Sequence, residues 1–265
     1  MKKLLEIEDM SISYGNKPTV KNVSLQLDEG EICCLVGGTG SGKSTVLHAI
    51  AGISSKAVRI TGGSIVFDGI DLIGLREMER RALLGNRIAL IFQNPESYFD
   101  ALMTIGDQFT EFLRHMEPGM AKDECLKISA KALQEMRLDD PERLLKLYPF
   151  ELYGGMLQRC SIAMAMLTKP KLLLADEPTS ALDIVTQAKI LGELKLLNQN
   201  TGTAILMVTH NMRVAETLAD TVSVMHEGRI AEAGPVDQVL YHPANAYTKE
   251  LIRSLPTMEE ARLID

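Results

Sequence analysis

The sequence has no Trp, and aromatic residues make up only 5% of its 265 positions. It also lacks any continuous apolar run near the roughly 18 residues that a membrane-spanning helix needs, so we expect no segment to cross a membrane by itself. The opening residues MKKLLEIEDM turn acidic without the apolar core of a signal peptide. A basic excess is missing as well, because the net charge is −7. We therefore expect a cytoplasmic protein without a broad nucleic-acid-binding surface.

Paired cysteines are also absent. The four Cys residues form no C-x-x-C pair, so the sequence predicts neither a zinc site nor a redox pair. Cys33 and Cys34 lie inside the apolar run ICCLV, and we expect them to be buried thiols. The chain contains no internal repeat and no low-complexity linker. Its length suits one large α/β domain or two small ones.

What the sequence does contain is a series of short apolar runs separated by helical stretches. Most of these runs are continuous rather than alternating, which is typical of strands buried on both faces of a parallel sheet. Alternating strands and helices predict an α/β fold. The run VSVMHEGRIAEAG instead predicts a hairpin that turns at Glu227–Gly228. We expect strands at 32–36, 64–67, 88–92, 172–175, 204–208 and 222–225, helices at 43–51, 122–137, 156–168 and 184–199, and a largely helical insertion at about 95–168.

Residues 37–45, GGTGSGKST, form a recognisable phosphate-binding loop, called here the phosphate loop. They follow the strand ICCLV and precede a helical run, which is the setting that G-x-x-x-x-G-K-[ST] requires. Glycines let the backbone curl so that its N–H groups, with the helix N-terminus, face an anion. Lys43 is expected to reach the β- and γ-phosphates, and Ser44 to bind Mg²⁺. The predicted nucleotide contacts in this loop are Gly37, Gly38, Thr39, Gly40, Ser41, Gly42, Lys43, Ser44 and Thr45.

A second motif, KLLLADEP at 171–178, is an apolar strand that ends in two carboxylates. Asp176 is placed to hold Mg²⁺ through water, and Glu177 to polarise the attacking water. Phosphoryl transfer depends mainly on positioning and charge neutralisation, which such groups provide. The alternative is a strand that simply ends in solvated acids before Pro178, and the phosphate loop makes this alternative weaker. The two motifs together predict hydrolysis of a nucleoside triphosphate with Mg²⁺.

With these motifs, nearly the whole chain resembles an ABC-transporter ATPase subunit, a P-loop NTPase with a mostly parallel sheet, N-terminal antiparallel strands and an inserted helical subdomain. The resemblance implies that Tyr14 stacks on adenine, although an aromatic at a strand end is the alternative. It implies that Gln93 joins the metal and the water to the helical insertion. It also implies that His210 contacts the γ-phosphate and that Asp183, in SALD, lies at a dimer interface.

The segment ELYGGMLQR at 151–159 matches the signature of that family, and its core at 153–156 is called here the signature segment. In the family, two subunits pack head to tail, and each signature closes over the partner's ATP. Tyr153, Gly154, Gly155 and Met156 are therefore expected to complete a partner's site. Tyr153 replaces the usual Ser, and its hydroxyl lies about 6 Å farther from the backbone. We expect the site completed by Tyr153 to hydrolyse ATP slowly or mainly to hold it.

The runs YPFELYGGMLQR, LMTIGDQF and HPANAYTKELIRSLP resemble nickel and peptide importers, most closely a nickel-import subunit that pairs with a non-identical ATPase. A dipeptide or oligopeptide importer is the alternative, and a soluble ABC ATPase acting on DNA or the ribosome is a distant one. The resemblance implies an ABC domain at 1–240, a tail at 241–265, two permease subunits, an extracytoplasmic binding protein, no nucleic-acid partner and a place on the cytoplasmic face of the membrane.

The segment that follows Gln93, ESYFDALMTIG, is expected to contact a membrane subunit. Its apolar side chains would form a surface for a coupling helix, as the resemblance implies. The alternative is that the aromatic residues belong to the core of the helical segment. The side chains concerned are Tyr98, Phe99, Leu102 and Met103.

Overall fold

The computed structural model describes residues 2–53, 57–153 and 155–254. The strands are β1 (Lys3–Tyr14), β2 (Lys17–Asp28), β3 (Ile32–Val36), β4 (Val58–Phe67), β5 (Ile70–Asp71), β6 (Ile88–Ile91), β7 (Leu172–Asp176), β8 (Ala204–Thr209), β9 (Thr221–His226) and β10 (Arg229–Pro235). The helices are α1 (Lys43–Ala51), α2 (Glu77–Leu83), α3 (Ile105–Met116), α4 (Lys122–Glu135), α5 (Pro141–Leu144), α6 (Met156–Met166), α7 (Ile184–Thr201), α8 (Met212–Leu218), α9 (Val236–Tyr241) and α10 (Ala246–Arg253).

The chain divides into two compact units, and the first comprises the residues up to Arg76 and those from Ala204 onward. Its antiparallel strands run in the order β2-β1-β4-β5. Its other strands run in the order β10-β9-β3-β8, in which β3 is parallel to both β8 and β9. Every residue of β3 and β8 is buried, as expected for strands covered on both faces.

The β9–β10 hairpin turns where the sequence predicts it. His226 pairs with Arg229, and the two residues between them, Glu227 and Gly228, have φ values of 46° and 83°. Positive φ at both central residues defines a type I′ turn, whose twist matches that of the flanking strands. The predicted hairpin at Glu227–Gly228 is confirmed.

The second unit comprises Glu77–Thr203. Strands β6 and β7 pair in parallel, from Ile88 opposite Leu172 to Ile91 opposite Ala175. Helices α3 to α6 lie between these two strands in the chain, and α4 packs against α3 and α6. The strand and helix pattern bears out the α/β class, whereas the domain bounds given above stay a prediction.

Buried thiols are a further prediction that the structure confirms. Cys33 and Cys34 lie in β3 and are almost fully buried, as are Cys125 and Cys160 in the helical part of the second unit. Burial raises the pKa of the Cys33 thiol to about 12 and the pKa of the Cys34 thiol well above its ordinary value. These thiols therefore behave as small apolar side chains.

Candidate nucleotide-binding site

The phosphate loop connects the buried strand β3 to helix α1, as the motif predicts. Gly40 and Gly42 adopt φ values of 78° and 106°, in the region that favours glycine. Gly42 immediately precedes the first residue of α1, so the loop curls directly into a helix N-terminus. The N–H groups of that first helical turn and the helix dipole favour an anion there.

A close backbone approach excludes any side chain at the first glycine of the loop. A Cβ placed on Gly37 would lie 2.1 Å from the carbonyl oxygen of Met225 in β9. The hairpin turn also holds the loop, because the Gly228 N–H donates to the carbonyl oxygen of Ser41 at 3.0 Å. The base of the loop is thus fixed by main-chain atoms of the β9–β10 hairpin.

Lys43 lies inside the loop, with only 5% of its surface exposed. Its Nζ donates to the carbonyl oxygens of Gly37 and Gly38, at 2.8 and 2.9 Å. Ser44 and Thr45 follow in the first turn of α1 and are half-buried, whereas Thr39 at the top of the loop is exposed. A cation held beside a helix N-terminus and a curled loop suits the terminal phosphates of a nucleotide.

His210 lies at the same edge of the first unit's parallel strands as the phosphate loop. Val36 of β3 pairs with Thr209 of β8, so Gly37 and His210 are the next residues beyond a paired position. His210 is exposed, and the next residue, Asn211, begins α8 by accepting a hydrogen bond from the Arg213 N–H at 3.0 Å. The structure therefore brings His210 to the edge where the phosphate loop begins.

Tyr14 is the last residue of β1, opposite Lys17 of β2 and Val58 of β4. Its surface is 59% exposed, which leaves the ring accessible for stacking. This position fits both the adenine-stacking prediction and the alternative of a strand-end aromatic. The stacking role stays a prediction.

The acidic pair lies at the end of β7 in the second unit. Asp176 is the last residue of that strand and is 7% exposed, and Glu177 follows with a φ of 44°. A positive φ is uncommon for Glu and turns the chain sharply after the strand. The chain therefore changes direction between Asp176, which ends the strand, and the residues that follow Glu177.

Ser180 links Gln93 to the turn at Glu177. Gln93 lies two residues beyond β6, and its Nε2 donates to the Ser180 Oγ at 3.1 Å. The Ser180 Oγ in turn donates to the carbonyl oxygen of Glu177 at 3.1 Å. Within the second unit, the structure thus brings Gln93 and Glu177 together, and Ser180 is a residue that the sequence analysis missed.

Asp183 caps helix α7. Its Oδ1 accepts hydrogen bonds from the N–H groups of Val185 and Thr186, both at 3.0 Å. A hydrogen bond from the Thr186 side chain, together with these backbone bonds, lowers the pKa of the Asp183 carboxyl. The carboxyl is exposed, so a contact with another subunit remains a prediction alongside this cap.

The signature segment ends at the start of α6. Gly155 has a φ of 75° and precedes Met156, the first residue of that helix. A Cβ on Gly155 would lie 2.6 Å from the Cγ2 of Thr186, so any side chain there would force Thr186 to shift. Tyr153 is 79% exposed, and Met156 is half-buried. Gly154 lies outside the described residues.

The segment after Gln93 divides into exposed and buried side chains. Phe99 is only 6% exposed and stacks on Tyr98 with ring centroids 5.5 Å apart, so it packs in the core of the second unit. Leu102 is 88% exposed. Tyr98 is 39% exposed and Met103 is half-buried. The expected apolar surface is therefore reduced by the loss of Phe99, which packs in the core as the alternative interpretation has it.

Comparisons with known proteins show similarity over long stretches of the chain and not only at single motifs. The family described as "ABC transporter" matches residues 20–180. The oligopeptide transport ATP-binding protein OppD of Bacillus subtilis is 39% identical over 98% of this chain and 74% of the relative. The dipeptide transport ATP-binding protein DppD of Lactococcus lactis is 35% identical over 98% of this chain and 75% of the relative.

Two solved structures share the fold. The ATP-binding cassette MJ0796, in a dimeric post-hydrolysis state bound to ADP and Pi, aligns with a TM-score of 0.78 and 29% identity over 88% of this chain and 99% of that chain. The cbiO1 protein of Clostridium perfringens aligns with a TM-score of 0.79 and 25% identity over 100% of this chain and 99% of that chain. The predicted ABC ATPase fold class is confirmed.

The predicted nickel branch finds no support in these relatives, which are named for oligopeptide and dipeptide transport. The alternative kept in the sequence analysis, a dipeptide or oligopeptide importer, fits them better. Among the described residues, no helix is both long and apolar enough to cross a membrane.

Proposed function

The chain belongs to the ABC transporter ATPases, and we propose that it is the ATP-hydrolysing subunit of a membrane importer for dipeptides or oligopeptides. The observation that carries this proposal is the extent of similarity to peptide-transport subunits. The match covers 98% of the chain at 39% identity, whereas the family match ends at residue 180. The similarity to a peptide-transport subunit therefore continues past residue 180 through most of the remaining chain.

The phosphate loop supports binding of ATP by this chain's own residues. Because Gly37 has no side chain, the loop can pass close to the backbone of β9. The N-terminus of α1 and the Lys43 ammonium supply positive charge for the phosphates. Ser44, Asp176 and Gln93 offer the oxygen ligands that Mg²⁺ prefers, and they would hold it with the phosphates. When bound, Mg²⁺ would neutralise charge on the phosphate oxygens.

Glu177 and His210 complete the hydrolytic site in this proposal. Glu177 polarises the attacking water, and Gln93 positions it through the Ser180 link to the Glu177 turn. His210, at the same strand edge as the phosphate loop, contacts the γ-phosphate. A positioned general base such as the one proposed at Glu177 typically contributes about 10²–10⁴-fold in rate.

The signature segment would complete the ATP site of a second ATP-binding subunit. We infer a head-to-tail dimer, for which the dimeric state of the related cassette MJ0796 is support. Tyr153 is 79% exposed and therefore available to a partner, as is the exposed Asp183. With a non-identical partner, the two ATP sites of the dimer would differ. The site completed by Tyr153 would hydrolyse ATP more slowly than the other.

The unequal-site hypothesis is tested with Tyr153→Ser in the assembled transporter, with Tyr153→Phe as the matched control. Ser restores a short hydroxyl side chain, whereas Phe keeps the bulk of the ring. We expect the Ser variant to raise ATPase turnover and the Phe variant to leave it unchanged. Equal turnover in all three proteins would show that Tyr153 does not limit the site.

The proposed partners are a second ATP-binding subunit, two permease subunits and an extracytoplasmic binding protein, with this chain held on the cytoplasmic face of the membrane. Affinity purification of the tagged chain from native membranes, followed by reconstitution into vesicles, tests this assembly. We expect permease proteins to copurify, and peptides to stimulate ATP hydrolysis while Ni²⁺ does not. Stimulation by Ni²⁺ alone would restore the nickel interpretation, and copurification of ribosomes or DNA without permeases would refute the importer.

A further inference from the structure

The C-terminal tail touches the phosphate loop directly. The hydroxyl of Tyr247, the second residue of α10, accepts a hydrogen bond from the Gly38 N–H at 3.1 Å. We propose that Tyr247 is a positioning residue for nucleotide binding, which fixes the start of the phosphate loop through this amide. The proposal rests on the ATPase activity of the family and not on the cargo.

The direction of the Gly38 amide is the property that Tyr247 controls. The Gly38 carbonyl accepts from the Lys43 ammonium at 2.9 Å, while its N–H points to the tyrosine hydroxyl. A Cβ on Gly38 would lie 3.2 Å from that hydroxyl, so the tyrosine lies directly against the loop backbone. Two opposite faces of one residue are therefore held, one by the phosphate-binding lysine and one by the tail.

The ring of Tyr247 is itself fixed by the hairpin that supports the loop. It stacks on His226, the last residue of β9, with ring centroids 3.7 Å apart and an interplanar angle of 25°. The same hairpin donates the Gly228 N–H to Ser41 in the loop. Tyr247 and the loop thus share one rigid support, which limits the freedom of the hydroxyl.

Three hydrogen bonds attach the chain just before Tyr247 to β10, and a fourth caps the start of α10. The Glu232 carboxylate accepts from the Ala244 N–H at 2.7 Å and from the Asn245 N–H at 3.1 Å. Asn245 donates through Nδ2 to the Ala231 carbonyl at 3.0 Å and accepts from the Tyr247 N–H at 2.8 Å. These bonds hold the start of α10, and with it Tyr247, beside β10.

Removal of the hydroxyl alone should loosen the loop without disturbing the tail. Tyr247→Phe keeps the ring on His226 and leaves the Gly38 N–H without its acceptor. Net hydrogen-bond contributions correspond to about a threefold to tenfold change in an equilibrium constant. We therefore expect ATP to bind about threefold to tenfold more weakly.

The chain offers a matched control in Tyr241→Phe. Tyr241 also lies in the tail region, and its hydroxyl donates to the exposed Glu216 at 2.6 Å, away from the phosphate loop. Both variants delete one tail hydroxyl and one hydrogen bond. Only Tyr247→Phe removes a contact to the backbone of the phosphate loop. A general effect of destabilising the tail would therefore appear in both variants.

The experiment measures ATP and ADP affinity of the full chain with a fluorescent nucleotide, KM and kcat of the assembled transporter, and amide hydrogen exchange over residues 37–42. In Tyr247→Phe we expect weaker binding, a raised KM with kcat nearly unchanged, and faster exchange at the loop, none of which occurs in Tyr241→Phe. Unchanged affinity and exchange in Tyr247→Phe, or equal changes in both variants, would overturn the proposal.

Lys43→Ala tests whether the phosphate loop is the nucleotide-binding site, independently of the role of Tyr247. It should abolish ATP binding, because it removes the cation inside the loop. If Lys43→Ala fails to weaken ATP binding, the loop is not the nucleotide site and the role of Tyr247 fails with it. If Lys43→Ala acts and Tyr247→Phe does not, only the role of Tyr247 is refuted.

Discussion

Gly155→Ala tests the packing at the start of the signature helix. The φ of 75° at Gly155 costs a side-chain-bearing residue about 1–2 kcal/mol, because the left-handed region crowds Cβ. The new Cβ would also lie 2.6 Å from the Thr186 Cγ2, and such overpacking costs about 1–3 kcal/mol. We therefore expect Gly155→Ala to lower the free energy of unfolding by about 2–5 kcal/mol.

The two contributions can be separated within this chain. Gly202, after helix α7, has a similar φ of 69°, and a Cβ there would meet no atom within 4 Å. Gly202→Ala should therefore show only the backbone cost. Thr186→Ser removes the methyl group but keeps the hydroxyl, so in the Gly155→Ala background it should recover the overpacking cost of about 1–3 kcal/mol and leave the backbone cost.

Urea unfolding followed by circular dichroism measures these differences, provided that the m-value stays constant across the four proteins. The reasoning would be refuted if Gly155→Ala and Gly202→Ala cost the same. It would also be refuted if Thr186→Ser gave no recovery in the Gly155→Ala background. Either result would mean that α6 and α7 do not approach each other as closely as the structure shows.

Three further predictions concern catalysis, capping and the thiols. Glu177→Gln should lower ATP hydrolysis by about 10²–10⁴-fold while ATP binding persists, and unchanged turnover would remove Glu177 from catalysis. Asp183→Ala should lower the melting temperature of the chain at pH 7. Because hydrogen bonds lower the pKa of Asp183, its cap stabilises the fold above the unfolded pKa of about 3.9 and is lost as pH falls through the lower folded pKa; a difference that does not shrink in acid would contradict this. Thiol titration should find almost no reactive thiol in the native chain and full reactivity in denaturant, for Cys33, Cys34, Cys125 and Cys160.

The sequence predicts the buried parallel strands closely, since strands covered on both faces are continuous apolar runs. The run ICCLV coincides with β3, and the predicted helix at 43–51 coincides with α1. The long strands β1 and β2 were expected only from the family resemblance. Asp9 and Asn22 adopt positive φ and shift the register between these strands, so no clean alternation of apolar residues marks them.

In the candidate site, too, residues in short local motifs can be predicted from the sequence, whereas contacts between residues far apart in the chain cannot. The phosphate loop, Asp176 and Glu177 belong to short motifs that can be recognised from their own spacing. The cap at Asp183 could also have been found, because Asp before an apolar helical run is a common N-cap pattern. By contrast, the hydrogen bond from Gln93 to Ser180 joins residues 87 apart, and the one from Gly38 to Tyr247 joins residues 209 apart. No local pattern specifies such pairs, so only the folded chain reveals them.

The β9–β10 hairpin supports the phosphate loop almost entirely through main-chain atoms. Gly228 donates to Ser41 and accepts from the Lys21 N–H at 2.7 Å, while the Met225 carbonyl faces Gly37. Contacts of this kind constrain the length and path of the hairpin but not the identity of most of its side chains. In a mutational library, or across evolutionary time, this hairpin should accept many substitutions at the exposed strand residue Arg229 yet tolerate no insertion, so its sequence can diverge while its geometry is inherited unchanged.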